Sequence, residues 1–221
     1  LPTRGYTILS VNSMLASLNS FLVFCGRADC KVKLYRVQKK TYLAANRELS
    51  KAEYLRLLHA ARKDQRLWLL LQTLCATGIR VSELQYFTVE AVRAGEISVA
   101  CKNKTRSILI PRGLQNILLQ YVRSARIESG HIFRTRTGKP MNRSNIWSAM
   151  KRLCRKAGVA PSKVFPHNLR HLFATAYYRV YRDIVKLADM LGHSSIETTR
   201  IYLIESGAEH QRQLERLGLV S

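Results

Sequence analysis

Apolar residues along this chain come in short runs broken by charge, and their spacing changes from a helical period to a strand period and back. In "ILSVNSMLASLNSFLVFC" (8–25) they recur at helical intervals after a polar start, and Gly26 ends the run. One or two helices cannot bury enough surface to stand alone, so residues 1–38 read as the C-terminal part of a helical domain. The basic stretch 39–47 reads as a linker, and 48–221 as the main domain. Ser50 and Glu53 have capping-box spacing at a helix start. A strongly apolar helix is expected over 65–76, stopped by Gly78. "EISVAC" (96–101) and "RSILIP" (106–111) are strand-like and flank a four-residue polar turn, "KNKT", as a hairpin; "HIFR" (131–134) offers a third strand. Helices are expected over 112–127, 143–157, 167–181 and 183–191. Two more capping boxes follow. Ser194 with Glu197 starts a short helix carrying Tyr202, and Ser206 with Glu209 starts a terminal helix. The fold class is α+β, predominantly helical, with one small antiparallel sheet.

With 221 residues and 47% apolar content the chain can bury one good core and a small second unit. No run approaches the ~18 residues needed to span a bilayer. The N-terminus lacks the order of a signal peptide and starts on Leu1, which reads as a piece of a longer protein. Five cysteines without zinc-finger spacing, three of them in apolar surroundings, read as reduced, buried thiols of a cytosolic protein.

Charge changes the picture most. Thirty-seven Lys and Arg against fourteen Asp and Glu leave a net +23. No acidic residue occurs from Ser129 to Arg182, where Arg134, Arg143, Lys151, Arg152, Arg155 and Arg170 are among the cations. A second acid-free run extends from Cys30 to Arg47. Such a chain repels itself unless a polyanion is near, and a nucleic acid, DNA or RNA, is the expected partner rather than a membrane.

Several residues have the means for chemistry on a phosphodiester. His167 and Arg170 in "PHNLRH" share a helix face. His171 would add a zinc reading, against which Arg170 sets a fixed positive charge. Arg80 in "ATGIRVSEL" follows a glycine helix stop, with Glu83 in reach to orient it. The hairpin turn carries Lys102 and Lys104. Tyr202 ends "LGHSSIETTRIY", nine residues after His193. A phenol titrates near ~10 and needs cationic help to act as a nucleophile at neutral pH. Arginines can clamp the non-bridging oxygens of a five-coordinate phosphorus, and imidazoles can move a proton. Metal-dependent nucleases use clustered carboxylates, which the basic half of the chain lacks.

The ordered set of Arg80, a hairpin lysine, His167-x-x-Arg170, "LGH" at 191–193 and Tyr202 resembles the six-residue site of the tyrosine recombinases, or phage integrases. The likeness covers residues 48–221, and "SVNSMLASLNSFLVF" resembles the end of that family's core-binding domain. It implies a site-specific recombinase working without cofactor, metal or ATP. Tyr202 would attack DNA and leave a 3′-phosphotyrosyl link, and Arg80 and Arg170 would hold the scissile phosphate. His167 would accept the phenolic proton, His193 would donate to a phosphate oxygen, and a lysine would protonate the leaving oxygen. The family often reads G-K-G-x-K-x-R at the hairpin; "CKNKTR" is one residue shorter, and Lys102 rather than Lys104 is matched to that lysine. The resemblance further implies a homotetramer on two duplexes through tail exchange, with Leu214, Leu217, Leu219 and Val220 buried, and accessory DNA-bending proteins. The "SSIETTRIY" region looks most like integrases of bacterial mobile elements, placing the protein at the nucleoid. The competing readings are a type IB topoisomerase, a non-catalytic basic DNA-binding protein and a metal-dependent nuclease.

Overall fold

A computed structural model describes residues 5–36, 48–101, 104–202, 211 and 215–218, with the side chains of residues 101 and 104 outside that description. The chain divides into two compact units, Leu1–Thr41 and Tyr42–Ser221.

In the first unit the apolar spacing yields α1 (Ile8–Phe24), opened by Thr7, whose hydroxyl accepts from Ser10 N, and closed just before Gly26. Asn12 and Asn19 lie two turns apart on one face of it. Each amide both donates to and accepts from an extended segment: Asn12 pairs with Tyr35 and Asn19 with Val32, at 2.8–2.9 Å. Two side chains thus do for residues 32–35 what a neighbouring strand would do.

The second unit is built around α3 (Gln65–Thr77), where Leu69, Leu70, Leu71 and Leu74 are all fully buried. Each contributes about 1.5–3 kcal/mol of burial. Before it comes α2 (Lys51–Ala61), with both halves of the Ser50–Glu53 capping box formed, which packs on α6 (Arg143–Ala157). A 3-10 turn, Val81–Tyr86, leads into α4 (Val89–Ala94), and α5 (Arg112–Ser124) lies against α4 and α3. The helices that carry the site are α7 (Pro166–Tyr181), packed along α3, then α8 (Ile184–Leu191) and α9 (Ile196–Arg200).

The hairpin differs from expectation. β1 (Glu96–Cys101) pairs antiparallel with β2 (Lys104–Leu109), so the ladder continues to Cys101 opposite Lys104 and the connection is two residues rather than four. Polarity marked "KNKT" as a turn, but backbone pairing is indifferent to the charge of an outer side chain. Along β2 the exposed Thr105, Ser107 and Leu109 alternate with the inward Arg106 and Ile108. Residues 131–134 make no third strand. Thr88 bridges His131 and Arg134 bridges Pro140 in isolation. Ile132 and Phe133 are neighbours yet both buried, and Pro140 has no N–H to extend a ladder.

Other boundaries shift for local reasons. The helix expected to reach residue 127 ends at Ser124, because Arg126 turns into the left-handed region and Ile127 folds back to bond Val122 O and bury itself. Ser195, not Ser194, caps α9, and Tyr202 follows that helix instead of lying within it. Cys154 is buried and Cys75 half-buried, whereas Cys25 and Cys30 are exposed; the Cys101 side chain lies outside the described residues. The Ser206–Glu209 box and Leu214, Leu219 and Val220 lie outside the described residues; Leu217 is exposed. Among the described residues no helix is long and apolar enough to cross a membrane.

Candidate active site

Two glycine-stopped helices meet at the site. Gly78 ends α3 and Gly192 ends α8, both in the left-handed region, with φ of 62° and 63°. Neither position has room for a Cβ: at Gly78 it would lie 2.3 Å from the Phe173 ring, and at Gly192 2.6 Å from Arg106 Cδ. The backbone carbonyls left over at these helix ends need donors. Arginines supply them. Arg170, only 3% exposed, donates from Nη1 to Gly78 O and from Nη2 to Leu191 O, both at 2.6 Å. Arg106 Nη1 donates to Met190 O at 2.6 Å, and Arg80 Nη2 to Gly192 O at 3.2 Å. Three consecutive carbonyls at the end of α8 therefore each take a different guanidinium.

Glu83 joins two of these arginines. Its buried carboxylate holds Arg80 Nη1 at 3.0 Å and Arg106 Nη2 at 2.6 Å, while also accepting from Arg80 N. With Arg170 beside them and bonded to backbone carbonyls instead, three guanidiniums gather around a single carboxylate that pairs with two of them, which leaves a net positive charge. An anion arriving here gains both charge neutralisation and bidentate donors.

Tyr202 is 4% exposed and packs beside Ala174, Leu187 and Leu191. All three imidazoles of the region surround its ring. His193 stacks on it (centroids 5.7 Å, interplanar 12°), and His167 and His171 lie at 5.6 and 5.3 Å. Arg170 also bonds the Tyr202 side chain. His193 Nε2 lies 3.0 Å from Arg170 Nη2, and its Nδ1 lies 2.8 Å from Thr199 Oγ1. Behind the ring, Thr175 donates to the Tyr202 carbonyl at 3.4 Å and also lies 3.3 Å from His171 Nδ1, tying α7 to the segment that carries the phenol. A cleft of about 600 Å³ opens onto Arg80, His167, Arg170, His193 and Tyr202, with Arg143 and the half-exposed Trp147 at its rim.

The histidines are held neutral. Desolvation, then the charges of Arg170, Arg80 and Arg106, push His193 down to about 4. His167, open to the cleft on one side, is lowered by desolvation and then by His171 and Arg170; His171 is lowered by desolvation. Groups whose folded pKa lies below the unfolded ~6.5 bind more protons when unfolded, so stability rises with pH across the interval between the two values. We expect the urea midpoint to be flat above pH 6.5 and to fall as pH is lowered toward 4, more gently in His193→Asn. Equal slopes in the two proteins would contradict this.

The fold brings together Arg80, His167, Arg170, His193 and Tyr202 of the six residues expected from sequence. Lys102 and the Lys104 side chain lie outside what is described, although β2 delivers Arg106, of the same hairpin, to Glu83. Arg106 and Thr199 were not anticipated. The alternation of Arg106 with Ile108 and Ile110 was the signal for the first; nothing distinguishes Thr199 from Thr198 in sequence. No three His, Cys, Asp or Glu side chains converge as metal ligands among the described residues.

Comparison with known proteins gives the family and the fold. The family model described as "Phage integrase family" matches residues 47–208. The tyrosine recombinase XerA of Pyrococcus furiosus is 29% identical over 228 residues, covering 100% of this chain and 78% of that protein. XerA of Thermococcus kodakarensis is 32% identical over 224 residues, covering 97% and 77%. In fold, the Tn1549 transposon integrase in complex with transposon right end DNA matches 98% of this chain and 82% of its own, with a TM-score of 0.74 at 19% identity. Its family match and its similarity to XerA across nearly the whole sequence establish that this chain belongs to the phage integrase family, the tyrosine recombinases.

Proposed function

We propose that this chain is the catalytic part of a site-specific DNA recombinase that cleaves and rejoins strands through a 3′-phosphotyrosyl bond to Tyr202. The observation that carries the reading is a phenol held against a buried arginine and three neutral imidazoles, in a cleft with unbalanced positive charge. Tyr202 attacks the scissile phosphorus and its proton passes to His167, whose lowered pKa keeps a lone pair available at neutral pH. Arg80 and Arg170 stabilise the extra charge on the non-bridging oxygens, and His193 donates to one of them. Lys102 protonates the departing 5′ oxygen. One phosphate ester replaces another, so the bond energy is kept and the reverse step rejoins DNA without ATP. Each step as written uses side chains of this chain.

Double-stranded DNA is the substrate, drawn in by the net +23 charge. Residues 1–38 act as part of a DNA-clamping domain joined by the basic linker 39–47 to the catalytic domain 48–221. Four copies assemble on two duplexes by exchanging tails, with the exposed Leu217 among the residues that become buried, and accessory DNA-bending proteins assist. The activity belongs to a mobile-element integrase working at the bacterial nucleoid.

Nicked duplexes that include mobile-element ends, incubated with the protein and a chelator, should give a protein–DNA adduct that survives detergent. Retardation of the same DNA without an adduct, from a longer chain as well as this one, would favour a binding protein instead. The lysine is tested by replacing the 5′-bridging oxygen with sulfur, which leaves without protonation. Lys102→Ala should lose about 10²- to 10⁴-fold in cleavage of the ordinary ester and recover on the thiolate substrate. The same pattern in Lys104→Ala instead would move the role to that residue.

A further inference from the structure

The neighbours of His193 determine which of its nitrogens carries the proton. Arg170 Nη2 can only donate, and it lies 3.0 Å from His193 Nε2, so Nε2 is the bare nitrogen and accepts. The single hydrogen of the neutral ring is then on Nδ1 and is donated to Thr199 Oγ1 at 2.8 Å. Thr199 is completely buried, three residues before Tyr202, and water does not compete for its hydroxyl. In this state His193 turns a lone pair, not a hydrogen, toward the arginine cluster. A phosphate placed there would meet a repelling lone pair. A second proton is not the remedy at neutral pH, since the ring is pushed down to about 4.

We propose that Thr199 is a positioning residue that lets neutral His193 exchange tautomers when a phosphate enters the site. The inference rests on the phosphoryl-transfer reading above. The incoming oxygen takes the Arg170 hydrogen that now points at Nε2. Nε2 then gains a proton from solvent and donates it to the same oxygen, while Nδ1 releases its proton to solvent. The Thr199 hydroxyl turns about its Cβ–Oγ bond and donates into the lone pair left on Nδ1. The ring is neutral before and after the exchange, and no proton is gained or lost overall. A hydroxyl suits this task because it accepts in one state and donates in the other. A carboxylate or backbone carbonyl in its place would hold the hydrogen on Nδ1 in both.

The test is nitrogen-detected NMR of the labelled chain at pH 7, joined to adduct kinetics. Free wild-type protein should show His193 with its hydrogen on Nδ1. Inorganic phosphate, added until the arginine side-chain resonances stop shifting, should move it to Nε2. Thr199→Val keeps the shape of the side chain but should leave the hydrogen on Nδ1 under the same phosphate. It should slow adduct formation on nicked duplexes about 10- to 100-fold without weakening DNA binding, and Thr199→Ser should restore both properties. A hydrogen already on Nε2 in the free protein, or one that stays on Nδ1 in saturating phosphate, overturns the proposal, as does a Thr199→Val protein reacting at the wild-type rate. The spectra need no turnover. Failure of every protein to form an adduct would therefore count against the recombinase chemistry, while the Thr199 exchange would still be decided by the nitrogen shifts.

Discussion

Tyr202→Phe is expected to fold and bind DNA like the wild type and to form no covalent adduct. The ring keeps its packing against Ala174, Leu187 and Leu191 and its stack on His193, so only the hydroxyl is lost. Removing one hydrogen-bonding group of this kind changes stability by about 1 kcal/mol. Cleavage should fall by at least about 10³-fold, since deleting a nucleophile abolishes its chemistry whatever the rest of the site still contributes. Thermal unfolding, gel retardation and a denaturing gel of the same samples check the three parts. Other tyrosines are carried by α7, where the rings of Tyr177 and Tyr181 lie 4.7 Å apart, tilted at 39°. Persistence of the adduct in Tyr202→Phe would transfer the role to one of them and remove the basis for the mechanism.

Arg170→Ala should damage both the fold and the chemistry. The guanidinium is 3% exposed and is the donor for Gly78 O and Leu191 O, the ends of α3 and α8. Each carbonyl left without a partner costs about 1–3 kcal/mol. The same group carries charge to the site where a phosphate oxygen would develop more, a contribution of about 10²- to 10³-fold for a single donor. Arg170→Lys separates the two effects. A lysine retains the positive charge but cannot span two helix ends and a phosphate with one ammonium. It should recover part of the lost DNA affinity, little of the rate, and not the full melting temperature. Wild-type stability in Arg170→Ala would mean that the two carbonyls find other donors and that the clamp is not structural.

Much of this was legible because the helices obey local rules. The span 143–157 is legible to the residue, since Asn142 caps it and Gly158 ends it in the left-handed region. The Gly78 and Gly192 stops were equally plain, and with them the places where Arg80 and His193 begin their turns. The site residues were legible as an ordered set, each weak alone. Tertiary pairing was less visible. "HIFR" has the composition of a strand, yet its backbone partners are single residues of irregular segments, which no periodicity reveals. Arg106 looked like one more cation on a basic hairpin; its role comes from the meeting of β2 with the end of α8, eighty-four residues away. Thr199 acquires meaning only from the nitrogen it faces. The charge of "KNKT" conceals its pairing capacity, because polarity reports solvent contact and not backbone register.

The most direct test of the central claim is the covalent map of the adduct. Wild-type protein is reacted with a nicked duplex in chelator, the adduct is digested, and the modified peptide is sequenced by mass spectrometry. The result expected is a single phosphodiester between the Tyr202 hydroxyl and a 3′-terminal nucleotide, with a free 5′ hydroxyl on the released strand. A link to any other residue, a 5′-phosphoryl attachment, or DNA cleaved with no attached protein would contradict it.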